Sequence, residues 1–133
     1  MRTLLFTLAL LLPALAFADT ANPLSVHVLD TQTGLPSAGV AVRLEQLGPA
    51  GWVTLATATT NAQGRVPALY PAGQALVPGT YKVEFMTGDW FAKHHQASFF
   101  PSIPVIFTAD GSLPHYHIPL LLSPYGYSTY RGN

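Results

Sequence analysis

The feature that most constrains this fold is a series of short apolar runs of strand length, each ended by glycine, proline or asparagine. Several runs alternate apolar and polar residues with the period of two that β-strands require. In one of them Tyr81, Val83 and Phe85 share one face. Lys82 and Glu84 share the opposite face. Repeated short strands with turn signals between them predict an all-β sandwich or barrel.

The sequence predicts eight strands and one short helix in a single domain, residues 19–133. No repeat, low-complexity segment or linker divides this part of the chain. Residues 89–97 are the helical candidate, because they lack β-branched residues and follow Gly88. The predicted strands are residues 24–29, 40–47, 52–60, a short piece at 66–70, and residues 81–87, 103–108, 116–122 and 125–131.

Residues 1–18 have the pattern of a secretory signal peptide. Arg2 supplies a positive start, residues 4–15 are almost wholly apolar, and Ala16 and Ala18 are small residues at the positions that a signal peptidase reads. The alternative is a membrane anchor, but the apolar run is shorter than the roughly 20 residues needed to span a bilayer. We therefore expect cleavage after Ala18 and export, which in a Gram-negative bacterium leads to the periplasm.

Charge is sparse and balanced, with six Lys and Arg against six Asp and Glu and no basic block. Nucleic acid and anionic membranes are therefore not expected partners. The chain has no cysteine and no Gly-x-Ser-x-Gly motif, so covalent nucleophilic catalysis has no candidate signature. Few charges and many apolar residues in a small protein predict that other subunits cover part of its surface.

Strand alternation places two histidines on the outer surface of the predicted sandwich. In the first strand Val26 faces the core, so His27 points away from it. In the strand at 116–122, His117 shares the outward face with Pro119 and Leu121. Apolar residues on an outward face predict a covered surface or groove at a contact between subunits.

Each histidine has an ordinary explanation and a functional one. Imidazole is amphipathic and suits a partly buried surface, but it also titrates near neutral pH and transfers protons in either direction. His115 and His117 together are a conceivable metal-ligand pair. No cysteine, and no carboxylate at a recognised spacing, completes such a set, so no metal site is predicted. We expect His94 and His95 to be exposed helix residues.

Arg65 follows Gly64 in a predicted turn. An arginine in a turn is most often exposed to solvent. Its planar guanidinium is also a strong donor for a carbonyl or anionic edge of a substrate. The sequence pattern leaves both interpretations open.

Six segments of the chain match one family. They are Ser-Val-His-Val-Leu-Asp at 25–30, Thr-Gly-Leu-Pro at 33–36, Asn-Ala-Gln-Gly-Arg at 61–65, Thr-Gly-Asp at 87–89, Ser-Phe-Phe-Pro at 98–101, and His-Tyr-His-Ile-Pro-Leu-Leu-Leu-Ser-Pro-Tyr-Gly-Tyr-Ser-Thr-Tyr-Arg-Gly at 115–132. These segments resemble the 5-hydroxyisourate hydrolases of the transthyretin-like family. The terminal block is the most specific, and the resemblance covers nearly all of residues 19–133.

The resemblance implies a β-sandwich of two four-stranded sheets with one short helix. It implies a homotetramer, built as a dimer of dimers, with active sites in the channel between the dimers. The implied reaction is the hydrolysis of 5-hydroxyisourate in urate breakdown, without a cofactor. His27, Arg65 and His117 match the catalytic set of the family.

The resemblance also implies substrate-binding residues at the C-terminus: Tyr130, Arg131, Gly132 and Asn133, with Ser128 a weaker candidate. Asn133 stands where the family usually has serine, which leaves the role of the final hydroxyl open. Transthyretin, a hormone carrier, shares the fold, so a carrier without catalysis is the alternative function. The His, Arg, His set and the Tyr-Arg-Gly end favour the enzyme. A generic adhesion sandwich would leave the outward histidines unexplained.

Overall fold

The computed structural model describes residues 21–133, and the predicted signal peptide, residues 1–18, lies outside the described residues. Within the described part, no helix is long and apolar enough to cross a membrane. The elements in chain order are β1 (Leu24–Asp30), β2 (Leu35–Pro36), β3 (Ala41–Gly48), β4 (Gly51–Thr59), β5 (Arg65–Val66), β6 (Gly79–Phe85), α1 (Thr87–Lys93), β7 (Ile103–Ala109), β8 (Tyr116–Leu122) and β9 (Tyr127–Thr129).

The strands form two sheets. The first sheet has the order β2-β1-β8-β9, with β5 also paired to β1, and the second has the order β4-β3-β6-β7. The prediction of a sandwich of two sheets with one short helix is confirmed. The first sheet has five strands rather than four, because β2 and β5, of two residues each, share the edge of β1 that β8 leaves free.

The core lies between the two sheets and follows the alternation of the strands. In β1 and β8 every second residue is buried, so the residues between them face outward. Burying one such apolar side chain contributes about 1.5–3 kcal/mol, which holds β1 and β8 firmly against the second sheet. The largest fully buried side chains include Tyr81, Phe85, Phe91, Leu24, Leu44, Leu69, Ile103, Leu120 and Leu122.

The helix is displaced from its predicted position at 89–97 and spans Thr87–Lys93. Gly88 belongs to its first turn, where a Cβ atom would come within 2.6 Å of the Pro101 carbonyl oxygen. Glycine therefore allows the helix to lie against that backbone. The helix ends early because His95 adopts a left-handed backbone conformation, with φ of 55°, which terminates helices.

Two strands are shorter than predicted. The strand predicted at 66–70 is limited to β5, because Pro67 has no N–H group to donate to a neighbouring strand. The strand predicted at 125–131 begins later, because a turn precedes it. In this turn the Ser123 N–H and the Ser123 hydroxyl both donate to the Gly126 carbonyl oxygen, at 3.0 and 2.9 Å.

Candidate active site

The parallel pairing of β1 with β8 places the two outward histidines on one face of the first sheet. Ser25 lies opposite His117, and His27 lies opposite Pro119. Both imidazoles are partly buried, and their neighbours along each strand face the core. Standard strand spacing and rise separate the two histidine backbones by about 8 Å. The two histidine side chains therefore lie near each other on the same outer face of the first sheet.

Arg65 joins the same face through β5, where it lies opposite His27. The turn before it is held by Asn61, whose side-chain oxygen accepts the Arg65 N–H at 3.0 Å. At Gly64 the φ angle is +69°, and a Cβ atom would come within 2.5 Å of the Val28 carbonyl oxygen. Glycine thus permits the close approach that delivers Arg65 beside His27. Among residues 21–133, the Arg65 guanidinium forms no ion pair.

The C-terminal segment forms the opposite border of this face. In β9, Ser128 lies opposite Leu121 of β8. Three residues after β9 ends, Gly132 lies opposite His117 in an antiparallel bridge. The two pairings belong to one register, so the segment runs along β8 past His117.

The same register locates the remaining predicted substrate-binding residues. It places Tyr130 opposite Pro119, together with Ser128 on the outer face of the first sheet that carries His27 and His117, which we call the histidine face. It places Arg131 on the alternate side, opposite the buried Ile118, so the backbone does not direct this residue to the histidine face. Tyr130, Arg131 and Asn133 are all exposed.

Gly132 is in direct contact with His117. Its N–H donates to the His117 carbonyl at 2.9 Å. A Cβ atom on Gly132 would come within 2.5 Å of His117 Cδ2 and 3.1 Å of Pro119 Cγ. Only glycine allows the C-terminal segment to lie this close to the imidazole, because any side chain at position 132 would meet the His117 ring.

A hydrogen-bonded chain reaches His117 along the surface of the sheet. Ser25 Oγ lies 2.7 Å from His117 Nδ1 and 2.8 Å from His115 Nε2. His115 Nδ1 in turn lies 2.8 Å from the Asn22 carbonyl oxygen. Strand alternation predicts Ser25 on this outward face with His27, but sequence reasoning assigned Ser25 no role in the site. The structure therefore adds Ser25 and His115 to the site.

The described residues contain no group of three or more His, Cys, Asp or Glu side chains arranged to hold a metal ion. His115 and His117 are bridged by a serine hydroxyl instead, with ring centroids 6.5 Å apart. The imidazoles, the hydroxyl and the guanidinium of this face can transfer protons and donate hydrogen bonds.

The site favours the neutral form of both histidines. Burial lowers the pKa of His27, and the nearby Arg65 guanidinium lowers it further, while a backbone hydrogen bond to Gln63 offsets part of the effect. Burial also lowers the pKa of His117, with further lowering from Arg65, His115 and His27. The neutral form of both imidazoles, which can accept a proton, is thus favoured.

His94 and His95 lie away from this face, just beyond the end of α1. Both are exposed, as expected. The His94 ring stacks on Trp90 with centroids 4.2 Å apart, and its Nδ1 lies 2.7 Å from the Trp90 carbonyl oxygen. These contacts give His94 a structural role at the helix end.

The two-sheet β-sandwich with one short helix is of the transthyretin type, as its similarity to solved structures of this fold shows. The model of the HIUase/Transthyretin family matches residues 24–132, and the chain belongs to this family. The 5-hydroxyisourate hydrolase of Salmonella typhi is 52% identical to the chain over 121 residues, which cover 91% of this chain and 88% of that protein.

Two solved structures, a hydrolase and a thyroxine-bound transthyretin, share this fold. The structure of Klebsiella pneumoniae 5-hydroxyisourate hydrolase matches with a TM-score of 0.74 and 40% identity, covering 84% of this chain and 99% of that one. Sea bream transthyretin in complex with thyroxine matches with a TM-score of 0.77 and 34% identity, covering 83% and 94%. Backbone similarity therefore does not separate the hydrolase from the thyroxine-binding protein, and the site residues must do so.

Proposed function

We propose that this protein hydrolyses 5-hydroxyisourate to 2-oxo-4-hydroxy-4-carboxy-5-ureidoimidazoline, a step of urate breakdown. The observation that carries the proposal is the convergence of His27, Arg65 and His117 on one outer face of the first sheet. The 52% identity to the Salmonella typhi 5-hydroxyisourate hydrolase indicates 5-hydroxyisourate as the substrate on which these three residues act.

The reaction makes three chemical demands. The oxygen of a water molecule forms a bond to a ring carbonyl carbon, the ring carbon–nitrogen bond breaks, and the released nitrogen takes up a proton. A base must receive the proton of the water, a donor must stabilise the developing oxyanion, and an acid must protonate the nitrogen.

The residues of the site meet these demands. His27 and His117 carry the proton transfers, because both are neutral and each can accept and then return a proton. Arg65 donates to the carbonyl oxygen as negative charge develops there, since no carboxylate of residues 21–133 occupies its guanidinium. A positioned acid or base typically contributes about 10²–10⁴-fold to the rate.

The C-terminal segment borders the substrate in this proposal. Ser128 and Tyr130 lie on the histidine face by register, and Gly132 lies against His117. Arg131 and Asn133 follow the same exposed segment and contribute at its edge. A substrate held between this segment and β5 is in reach of both histidines and Arg65.

A carrier without catalysis is the second candidate, because the match to thyroxine-bound transthyretin is as good as the match to the hydrolase. The direct test generates 5-hydroxyisourate freshly and follows its absorbance with and without purified protein. We expect rapid, protein-dependent loss of the signal. Saturable thyroxine binding without any acceleration of hydrolysis would establish the carrier instead.

We also propose that the protein works as a homotetramer built from two dimers. The histidine face supports this through the apolar Leu29 and Leu121, which remain partly exposed beside the site, whereas Pro119 is already buried within the chain. The edge strands support it as well, since within residues 21–133 β7 and β9 each have one unpaired edge. Both strands carry exposed apolar side chains, with Ile106 at 59% and Tyr127 at 44% exposure, and such edges favour pairing with another chain.

Light scattering tests this assembly. We expect a tetramer for the parent protein and a smaller species for Leu121→Glu, because the glutamate places charge on the apolar outer face. Val53→Glu is the matched control, since Val53 is 56% exposed on β4 of the other sheet. A parent protein that is monomeric and fully active would contradict the proposal.

Export to the periplasm is a further proposal, and it rests on the sequence of residues 1–18. Expression of the full chain in a Gram-negative host, followed by fractionation and mass measurement, tests it. We expect a periplasmic product that begins at Asp19. A cytoplasmic product of full mass would contradict export.

A further inference from the structure

In the hydrogen-bonded chain from Asn22 through His115 and Ser25 to His117, the donor and acceptor roles are set at the Asn22 end. The Asn22 carbonyl oxygen accepts hydrogen bonds and cannot donate them. His115 Nδ1, 2.8 Å away, must therefore carry a proton and donate it to this oxygen. The position of the carbonyl is well defined, because the Asn22 side chain donates to the Tyr70 carbonyl at 2.8 Å and accepts the Tyr70 N–H at 3.1 Å.

When His115 is neutral, the direction of every following bond is then determined. A neutral imidazole has one proton, so a neutral His115 with its proton on Nδ1 has a lone pair on Nε2. Ser25 must donate its hydroxyl proton to that lone pair, across 2.8 Å. Ser25 Oγ then has only lone pairs to offer His117 Nδ1, which lies 2.7 Å away. His117 Nδ1 must therefore be the donor of the last bond.

We propose that Ser25 and His115 are positioning residues, which hold the proton of neutral His117 on Nδ1 and leave Nε2 as the lone pair that receives the proton of the attacking water. This inference deepens the proposed hydrolase function and rests on it for the identity of the reaction. It assigns to His117 the role of base and names the nitrogen that performs it.

The proton balance of the step is simple. The water proton moves to His117 Nε2 while the water oxygen bonds to the carbonyl carbon. His117 then carries a positive charge with protons on both nitrogens. Its Nδ1–H remains bonded to Ser25 Oγ, so this bond strengthens as the charge develops. The same proton is later available on Nε2 for the nitrogen that leaves.

The strand register explains why this arrangement is stable. Ser25 and His117 are direct partners in the β1–β8 pairing, and their neighbours along both strands are buried in the core. A small shift of either strand would break the contact, because alternation would send the side chains to the opposite face. The tautomer of His117 is thus fixed by the packing of the first sheet.

A spectroscopic experiment tests the tautomer without relying on activity. Histidine labelled with ¹⁵N in the full-length folded protein reports which imidazole nitrogen carries the proton. The measurement is made at about pH 8, where an imidazole of ordinary pKa, about 6.5, is neutral. His117→Gln identifies the signals of His117. We expect the proton on Nδ1 in the parent protein, and a proton on Nε2 would overturn the inference.

Kinetics with two substitutions completes the test. Ser25→Ala should shift the His117 proton towards Nε2 and lower kcat by about 10–100-fold, the usual effect of losing a partner that orients an imidazole, with little change in KM. His115→Ala should act similarly. His115→Gln should recover much of the rate, because its amide oxygen can accept the Ser25 hydroxyl proton. The double variant Ser25→Ala, His115→Ala should lose no more than the stronger single variant, since both act through one chain.

Ser102→Ala is the matched control, because its hydroxyl also donates to a side chain, Glu84, at 2.9 Å but on the second sheet. It should leave both the tautomer and kcat unchanged. Thermal unfolding of each variant confirms that it is folded. A Ser25→Ala protein with the parent's tautomer and kcat would overturn the inference. A parent protein with the expected tautomer but no hydrolysis would refute the proposed function instead, so the two failures are distinguishable.

Discussion

The outer faces of the two sheets share a strand geometry but treat charge in opposite ways. On the second sheet, the β3–β6 register places Arg43 opposite Glu84 and Glu45 opposite Lys82. Each cation is paired: Arg43 with Glu84, and Lys82 with Glu45 at 2.8 Å. On the first sheet, Arg65 has no ion pair among the described residues. Among the described residues, the cations on the outer face of the second sheet are thus paired with carboxylates, whereas Arg65 on the first sheet is not.

The pKa shifts on the two faces differ in the same sense. Burial raises the pKa of Glu84, but hydrogen bonds from Ser102 and Arg43 outweigh it and hold this pKa below its ordinary value, so the charged form is favoured. Burial lowers the pKa of His27 and of His117, so the neutral form is favoured. The second sheet stabilises charged side chains, whereas the first sheet favours neutral imidazoles that can each accept a proton.

Removal of either histidine of the first sheet should have the largest effect on activity. His27→Ala and His117→Ala should each fold normally and lose at least about 10²-fold in turnover, because each removes a proton-transfer group. Turnover of freshly generated 5-hydroxyisourate measures the loss. His95→Asn is the control, since it removes an exposed imidazole at a left-handed position that asparagine tolerates. Near-parental rates in both alanine variants would exclude these histidines as the acid–base pair.

The C-terminal segment should give the next largest effect. Deletion of residues 130–133 should leave a folded oligomer with poor hydrolysis. Gly132→Ala should cost about tenfold or more, because the added Cβ would meet His117 Cδ2 at 2.5 Å and displace the segment. Asn133→Ser is the mild control, as both side chains donate and accept hydrogen bonds. If the truncated protein hydrolysed as fast as the parent, the segment would not belong to the site.

On the second sheet the corresponding substitution should affect stability and spare activity. Glu45→Gln removes the carboxylate that Lys82 and Arg43 share, at 2.8 and 3.6 Å. Glu45 is only 7% exposed, so we expect a loss of about 1–3 kcal/mol in the free energy of unfolding. Denaturant unfolding and the hydrolysis assay measure the two properties. A large loss of turnover with unchanged stability would erase the distinction between the faces.

Two arginine substitutions sharpen the comparison further. Arg65→Lys keeps the charge but loses the planar donor fork, so turnover should fall by about tenfold with little change in stability. Arg43→Lys is the matched substitution on the second sheet, and it should leave turnover unchanged. Both variants are assayed for turnover and thermal unfolding. Full activity in Arg65→Lys would make Arg65 an ordinary turn residue.

The smallest expected effect is a shift in pH dependence. The titratable or charged groups near the two histidines are Arg65, His115 and each other. Because the pKa of both is lowered, the neutral, active form persists below pH 6.5. Arg65→Gln removes a cation, so both pKa values should rise and the acid limb of residual activity should move to higher pH. NMR titration of the two imidazoles measures the shift, and a downward shift would contradict this electrostatic account.

The same pKa direction has a consequence for stability. A histidine whose pKa is lowered on folding binds fewer protons than it does in the unfolded chain. Stability should therefore rise with pH through the interval between the lowered pKa and 6.5. Above that interval the two histidines should cause no further change of the free energy of unfolding with pH.

Much of this architecture was predictable from the sequence. The alternation in residues 24–29 and 116–122 predicted the core-facing side chains and placed His27 and His117 outward, although Pro119, also placed outward, is buried within the chain. The resemblance to a known family supplied the three candidate catalytic residues. The helix boundaries were less predictable, because they depend on the contact of Gly88 with Pro101 and on the left-handed His95.

The sequence by itself determined which face of each strand each residue occupies, because alternation is a local steric property of an extended chain. Only the tertiary structure decided which residues become neighbours. Ser25 and His117 are 92 positions apart, and Arg65 reaches His27 through a strand of two residues. Such pairings follow from core packing and from the register between distant strands, which the period of two leaves unspecified. The direction of the Asn22, His115, Ser25 and His117 chain exists only once that register is formed.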